Sequence, residues 1–141
     1  MRAWAEGHTV EPAEGSVAYT EQRTAMEYGV PSFVVADGTW DSHKRGTPAF
    51  SAGGQIYFRE TMPEQMRGMF APHELTHVMK QVGYQPYMDF IKRTPDYFDF
   101  TTEEGRIIAD HVIQHIKLDG IPSDEKGMLK FADELNATVY G

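Results

Sequence analysis

The spacing of apolar positions changes from helical to alternating and back again along the chain. Residues 19–28 carry a helical pattern, with Thr20 as the predicted N-cap and Gly29 just past the end. Three short runs rich in β-branched and aromatic residues come next, at 32–36, 47–52 and 55–59. Asp37 and Gly38 are predicted to close the first run as a turn. These runs predict a small, antiparallel sheet of three strands.

The pattern becomes helical again from residue 61. Thr61 and Glu64 flank Pro63 as a capping box with proline at the helix start. The segment 63–81 is long enough for five turns, but Pro72 removes one hydrogen bond and crowds the preceding turn. We therefore expect a kink, or two abutting helices with Pro72 near the start of the second. Further helices are predicted at 86–93, 102–117 and 123–138, the last capped by Ser123.

The order of helix, small sheet and then several helices predicts an α+β fold. The chain has 141 residues, the size of one ordinary domain. Residues 1–18 are rich in Gly, Glu, Ala and Pro, and they predict an irregular N-terminal arm. Residues 19–141 are then expected to form a single domain.

Charge and composition exclude several classes of protein. The net charge is −8 and the basic residues form no stripe, which disfavours direct nucleic-acid binding. There is no apolar run of transmembrane length and no apolar core of a signal peptide, so we expect no membrane association and a cytoplasmic location. With no cysteine in the chain, any metal has to be bound by His, Asp or Glu.

His73 and His77 are four residues apart in a segment predicted to be helical. Side chains at this spacing lie on one face of a helix, one turn apart, so both imidazoles can bind one zinc ion. Glu74 stands beside the first histidine, where its carboxylate can take the proton of a metal-bound water. This HExxH pattern therefore predicts a catalytic zinc site. The plain alternative is a surface helix with two solvated histidines.

A catalytic zinc site also needs a third protein ligand and an open position for water. Gly83 stands where metzincins have a third histidine, which excludes that pattern. Glu104, on the next long helix, shares a face with Ile108 and is the favoured third ligand. Glu103 and His111 are the alternatives, because Glu103 is adjacent and His111 lies further along the same face.

Other side chains near the motif are candidates for supporting roles. Asp110 is a candidate acceptor for the second ring N–H of a ligand histidine. Three tyrosines lie in the loop between the two predicted ligand helices, and one of them could stabilise the oxyanion, although packing is the favoured role for each: Tyr84, Tyr87 and Tyr97. The remaining histidines, His8, His43 and His115, are predicted to be surface or structural residues.

The runs GQIYFRE, PHELTHVM and TEEGRIIADHVI together resemble compact gluzincin-type HExxH metallopeptidases. The resemblance is closest to the ImmA/IrrE-like family and second to the SprT-like family, and it covers roughly residues 20–117. It implies a zincin-like fold, with His73, His77 and Glu104 as zinc ligands and Glu74 as general base. Thr76, Gly105 and Arg106 depart from the pattern of the ImmA/IrrE-like family.

The sequence therefore predicts a zinc-dependent peptidase that acts on a protein or peptide. A non-catalytic zinc-binding interaction module, using the same ligands with a blocked fourth position, is the alternative. A metal-free helical scaffold is a third interpretation.

Overall fold

The computed structural model describes residues 4–5, 7–44 and 46–140. These residues form an α+β fold of seven α-helices and one three-stranded sheet, as the sequence predicts for the fold class. The elements in chain order are α1 (Val17–Glu27), β1 (Ser32–Val35), α2 (Asp37–His43), β2 (Ala49–Ala52), β3 (Gln55–Arg59), a single 3-10 turn (Glu64–Met66), α3 (Phe70–Gln81), α4 (Gln85–Lys92), α5 (Thr94–Tyr97), α6 (Glu103–His115) and α7 (Glu125–Tyr140).

The sheet is mixed, and the prediction that it is antiparallel is wrong for one of its two strand pairs. β3 lies in the middle, between β1 and β2. β2 and β3 form an antiparallel hairpin across Gly53 and Gly54, which both have positive φ. β1 pairs with β3 in parallel, because the chain passes through α2 and β2 before β3 returns beside β1.

The helix α2 begins at Asp37, where the sequence predicts a turn. Trp40 is fully buried, and its indole N–H donates to the carbonyl of Thr47 at 2.6 Å. Asp37 accepts two hydrogen bonds from Thr61, from the backbone N–H at 2.9 Å and from the hydroxyl at 2.7 Å. Burial of the tryptophan and these tertiary bonds outweigh the low helix propensity of Gly38.

Each face of the sheet packs against a different part of the chain, as alternation along a strand requires. One face contacts α1 and α3 through Val34, Ala49, Ile56 and Phe58. The other face packs against α2 through Val35, Phe50 and Tyr57. A separate cluster joins α6 to α7 and contains Ala109, Val112, Phe131 and Leu135.

Two expected helix starts shift by a few residues. Ser16 caps α1 by accepting from the N–H of Tyr19 at 3.2 Å, so the cap is not Thr20, whose hydroxyl donates to the carbonyl of Ser16. At α7, the carboxylate of Asp124, and not Ser123, accepts from the N–H of Gly127 at 2.9 Å.

Part of the predicted N-terminal arm packs against the sheet. Ala5 is fully buried, and Thr9 forms an isolated bridge with Val35 beside β1. The N–H of Val10 donates to the carbonyl of Val34 at 2.8 Å. Within the described ranges, no helix has both the length and the apolar character needed to cross a bilayer.

Candidate metal centre

The predicted helix 63–81 consists of two pieces, as Pro72 indicates. A 3-10 turn ends at Met66 and α3 begins at Phe70, so Pro72 lies in the first turn of α3, where its missing N–H costs nothing. Glu21 of α1 is fully buried and accepts from the N–H groups of Gly68 and Ala71, the latter at 2.8 Å. A side chain from α1 thus caps the helix that carries the HExxH motif.

The helices α3 and α7 run side by side, and α7 sets the orientation of both imidazoles. Nδ1 of His73 donates to the carbonyl of Ala137 at 3.1 Å. Nδ1 of His77 donates to Oδ2 of Asp133 at 2.5 Å, and the other carboxylate oxygen of Asp133 accepts from the hydroxyl of Tyr87 at 2.8 Å. With both Nδ1 atoms engaged, each Nε2 is left to face the same point.

A carboxylate from α7, that of Glu134, completes a set of three metal-binding side chains. His73, His77 and Glu134, here called the ligand triad, offer donor atoms that all lie within 4.8 Å of one another. Nε2 of His77 is 3.2 Å from Nε2 of His73 and 2.9 Å from Oε2 of Glu134, and Nε2 of His73 is 3.5 Å from Oε1 of Glu134. Glu134 is only 7% exposed.

These separations fit a small tetrahedral ion. Bonds of about 2.0–2.1 Å at the tetrahedral angle place neighbouring donors roughly 3.3 Å apart. The Nε2–Nε2 separation and the two nitrogen–oxygen separations, each to a different oxygen of Glu134, lie on either side of that value. Two imidazole nitrogens and one carboxylate oxygen also match the donor types of catalytic zinc sites. The residues present therefore fit zinc.

The structure does not bring Glu104 to the two histidines. Glu104 and Glu103 are exposed in the first turn of α6, and neither belongs to the ligand triad. The face of α6 that packs against α7 carries Ala109 and Val112, whereas Ile107 is 62% exposed. Ile108 packs against the cluster that joins α6 to α7, but Glu104, predicted to share its face, is exposed.

The other residues for which the sequence predicts a role in the site also lie outside the ligand triad. His111 lines the cavity beside the ligand triad but is not part of it. Asp110 is exposed, and Asp133 is the carboxylate that accepts from a histidine of the motif. Among the tyrosines, Tyr87 is buried against Asp133, and the hydroxyl of Tyr97 donates to Asn136 at 3.1 Å, so both serve packing and hydrogen bonding. Tyr84 is 54% exposed, outside the lining of the cavity.

Asp133 and Glu134 are not among the site residues that the sequence predicts, because the signal for them is burial, which only the structure shows. They are two acids inside a run of seven consecutive buried residues, 131–137, which also contains Asn136. Acidic side chains are almost never fully buried without a partner, so their burial indicates bound protons or metal. Helical periodicity alone does not reveal this, because α7 is covered on several sides.

Burial and charge shift the ionisation of the site in several directions. Burial raises the pKa of the Glu74 carboxyl, and the nearby imidazoles oppose that shift only in part. Burial disfavours the charged form of His77, but the hydrogen bonds to Asp133 and Glu134 outweigh it and raise the pKa of His77 to about 10. The desolvation of Glu134 is likewise outweighed by the two histidines, which hold its pKa well below the usual range.

A cavity of 730 Å³ opens over the ligand triad. Its walls include Ala49 and Ser51 of β2 and the imidazoles of His111 and His115 from α6. Ser51 and Glu74 line the same cavity, and Nε2 of His115 lies 3.4 Å from Oε1 of Glu134. His115 is exposed, as predicted, and it also lines the cavity beside the ligand triad.

Comparisons with protein families, with characterised proteins and with solved structures find no match to this chain. The resemblance to ImmA/IrrE-like peptidases thus stays a prediction from the quoted motifs.

Proposed function

We propose that this chain is a zinc-dependent peptidase of the compact gluzincin type with a zincin-like fold, and that Glu134 replaces Glu104 as the third ligand. One observation carries the proposal: two imidazole nitrogens and one carboxylate converge at the separations of a zinc tetrahedron. The nearest known layout is that of the ImmA/IrrE-like family, on the motif evidence alone.

Glu74 is the proposed general base and acid. Zinc, when bound, polarises the scissile carbonyl and lowers the pKa of water from about 15.7 towards roughly 7. Glu74 is 7% exposed, lines the same cavity as the ligand triad and has a raised pKa, which suits a carboxylate that accepts a proton and passes it to the leaving amine. Ser51, whose hydroxyl accepts from the side-chain amide of Gln81 at 2.9 Å, lines the same cavity as Glu74.

An extended peptide is the substrate that the cavity walls favour. β2 is an edge strand, and Pro48 to Ser51 line the cavity. The carbonyl of Pro48 accepts from the N–H of Arg59 at the end of β3. Backbone groups of alternate residues point to opposite edges of a strand, so those of Ala49 and Ser51 point away from β3. A peptide can add there as a further strand.

Metal analysis and one isosteric substitution test the proposal. The purified chain should contain one zinc per molecule and cleave an unfolded probe protein such as reduced casein. Glu74→Gln should keep the zinc and lower the cleavage rate by at least about 10²-fold, since general-base catalysis contributes 10²–10⁴-fold. Glu27→Gln, an exposed change on α1, is the matched control and should cleave like the parent.

Three results separate the alternatives. Equal cleavage by Glu74→Gln and the parent would contradict the proposed mechanism. Stoichiometric zinc without cleavage by any variant would indicate a non-catalytic binding module. Absence of zinc from the protein, together with no effect of added zinc on its thermal stability, would indicate a metal-free scaffold.

A further inference from the structure

Two lysines occupy matching places on the helices that carry the ligand triad. His73 contacts Ala137, and His77, four residues further along α3, contacts Asp133, four residues back along α7. The two helices are therefore antiparallel at this level. Lys80 follows His77 by three residues along α3, and Lys130 precedes Asp133 by three residues along α7. The register places these lysines opposite each other, about one helical turn beyond His77.

Both lysines also line the central cavity that opens over the ligand triad. Within the part of the chain that the structure describes, neither ammonium group forms an ion pair with a carboxylate. Two guanidinium groups elsewhere, those of Arg59 and Arg67, do bind carboxylates. Two lysines that line one cavity without an ion pair are unexpected in a chain with a net charge of −8.

The acids nearest to the two lysines in this cavity are already engaged. Asp133 accepts from His77 and Tyr87, and Glu134 contacts both histidines of the triad. Glu74 lines the same cavity, and it forms no ion pair with either lysine. The cavity therefore has two cationic groups that no carboxylate of the described residues pairs with. Like charges at one level repel, and an anion between them would relieve the repulsion.

We propose that Lys80 and Lys130 bind a carboxylate of the substrate, so that the peptide carries an acidic group close to the bond that is cleaved. This inference rests on the proposed peptidase function. Three helical residues correspond to a rise of about 4.5 Å, and an extended peptide advances about 3.3 Å per residue. The carboxylate then lies within one or two residues of the scissile bond. It belongs to an aspartate or glutamate side chain, or to the C-terminus.

Binding of small metal-directed probes tests the site without any need for turnover. The probes are linear hydroxamic acids with two to four methylene groups that end in a carboxylate, each compared with its terminal amide. On the zinc-loaded protein at low salt, the best acid should bind roughly tenfold more tightly than its amide. The preference should shrink at about 1 M salt, where the Debye length falls to about 3 Å.

Variants assign the preference to the two lysines. The double variant Lys80→Gln/Lys130→Gln should bind acid and amide equally and keep the parent's affinity for the amide. The matched control Lys92→Gln/Lys117→Gln removes the same charge from exposed positions outside the cavity and should keep the preference. The role of the two lysines would be overturned, but the proposed function would not, if the parent bound acid and amide equally. The same holds if the preference for the acid survived in the double variant.

A different result would overturn the inference together with the function. If the zinc-supplemented protein binds no hydroxamate of either kind, it has no accessible metal, and both proposals fail. Where the acids do bind more tightly, cleavage of peptide mixtures identifies the natural source of the carboxylate. Cleavage beside internal Asp or Glu in C-terminally amidated peptides indicates an acidic side chain. Cleavage only of peptides with a free C-terminus indicates the terminal carboxylate.

Discussion

At the scale of single residues, the site depends on how His77 is held between two carboxylates. Asp133 contacts Nδ1, and Glu134 contacts Nε2. The first contact fixes the ring, and the second points to the place where a metal would bind. Tyr87 donates to the other oxygen of Asp133 and prevents that carboxylate from turning away. The orientation of one imidazole is thus set by three residues from two other helices.

The choice between Glu134 and Glu104 is the first prediction at this scale. Glu134→Gln should weaken zinc affinity by more than about 100-fold, because loss of a ligand exceeds the 10–100-fold effect of losing an outer partner. Glu104→Gln should leave the affinity unchanged within about twofold, since Glu104 is exposed on α6. Competition with a chromogenic chelator measures both dissociation constants. The reverse order would restore Glu104 as the ligand and contradict the arrangement of α7.

At the scale of helices and strands, local patterns fix most of the elements. β1, β3 and the division of the helix at Pro72 follow from short-range sequence signals. What local signals do not contain is which elements lie side by side. Glu134 is 57 residues beyond His77 (134 − 77), on a helix whose position depends on packing against α3, α4 and α6. The motif could therefore be found from the sequence, whereas its third ligand depended on tertiary structure.

The strand pairing illustrates the same point. The glycines of the turn predict the β2–β3 hairpin. The parallel pairing of β1 with β3 requires α2, which forms because Trp40 is buried, and burial depends on the complete fold. Likewise, Ile108 of α6 packs against the cluster with α7, yet Glu104 one turn earlier is exposed.

The second prediction concerns the cap that α1 provides for α3. Glu21→Ala would leave the N–H groups of Gly68 and Ala71 without their acceptor, and each such buried loss costs about 1–3 kcal/mol. We expect the free energy of unfolding of the zinc-free protein to fall by about 2–3 kcal/mol. Urea denaturation followed by circular dichroism measures it.

Two further variants define the origin of that effect. Glu21→Gln keeps one acceptor oxygen and should lose less stability than the alanine variant. Glu27→Ala, an exposed change on the same helix, should remain within about 0.5 kcal/mol of the parent. If the alanine variants at positions 21 and 27 unfold at the same urea concentration, Glu21 does not stabilise α3.

At the scale of the whole molecule, the site joins parts of the chain that are distant in sequence. α1 caps α3, β2 lines the cavity together with α3, and α7 supplies Asp133 and Glu134. In the zinc-free protein, the contacts of His77 with Asp133 and Glu134 act as ion pairs, because the imidazole carries a proton between the two carboxylates. The stability of the zinc-free fold should therefore depend on the protonation of this one ring.

The third prediction follows from the sign of that dependence. The pKa of His77 is about 10 in the folded protein, above the usual value of about 6.5 that applies to the unfolded chain. A raised pKa contributes stability that is complete below about pH 6.5 and is lost as the pH rises through about 10. The Tm of the chelator-treated protein should thus fall between pH 6.5 and 9, by roughly 5 °C or more.

A variant without the titrating ring separates this effect from general repulsion in an acidic chain. His77→Gln can still contact Asp133 and Glu134 but does not ionise, so its Tm should change less over the same pH interval. Zinc added to the parent should raise the Tm and reduce its decline with pH, because a ligand that binds only the folded state stabilises it. Parallel curves for the zinc-free parent and His77→Gln would mean that the proton on His77 does not stabilise the link between α3 and α7.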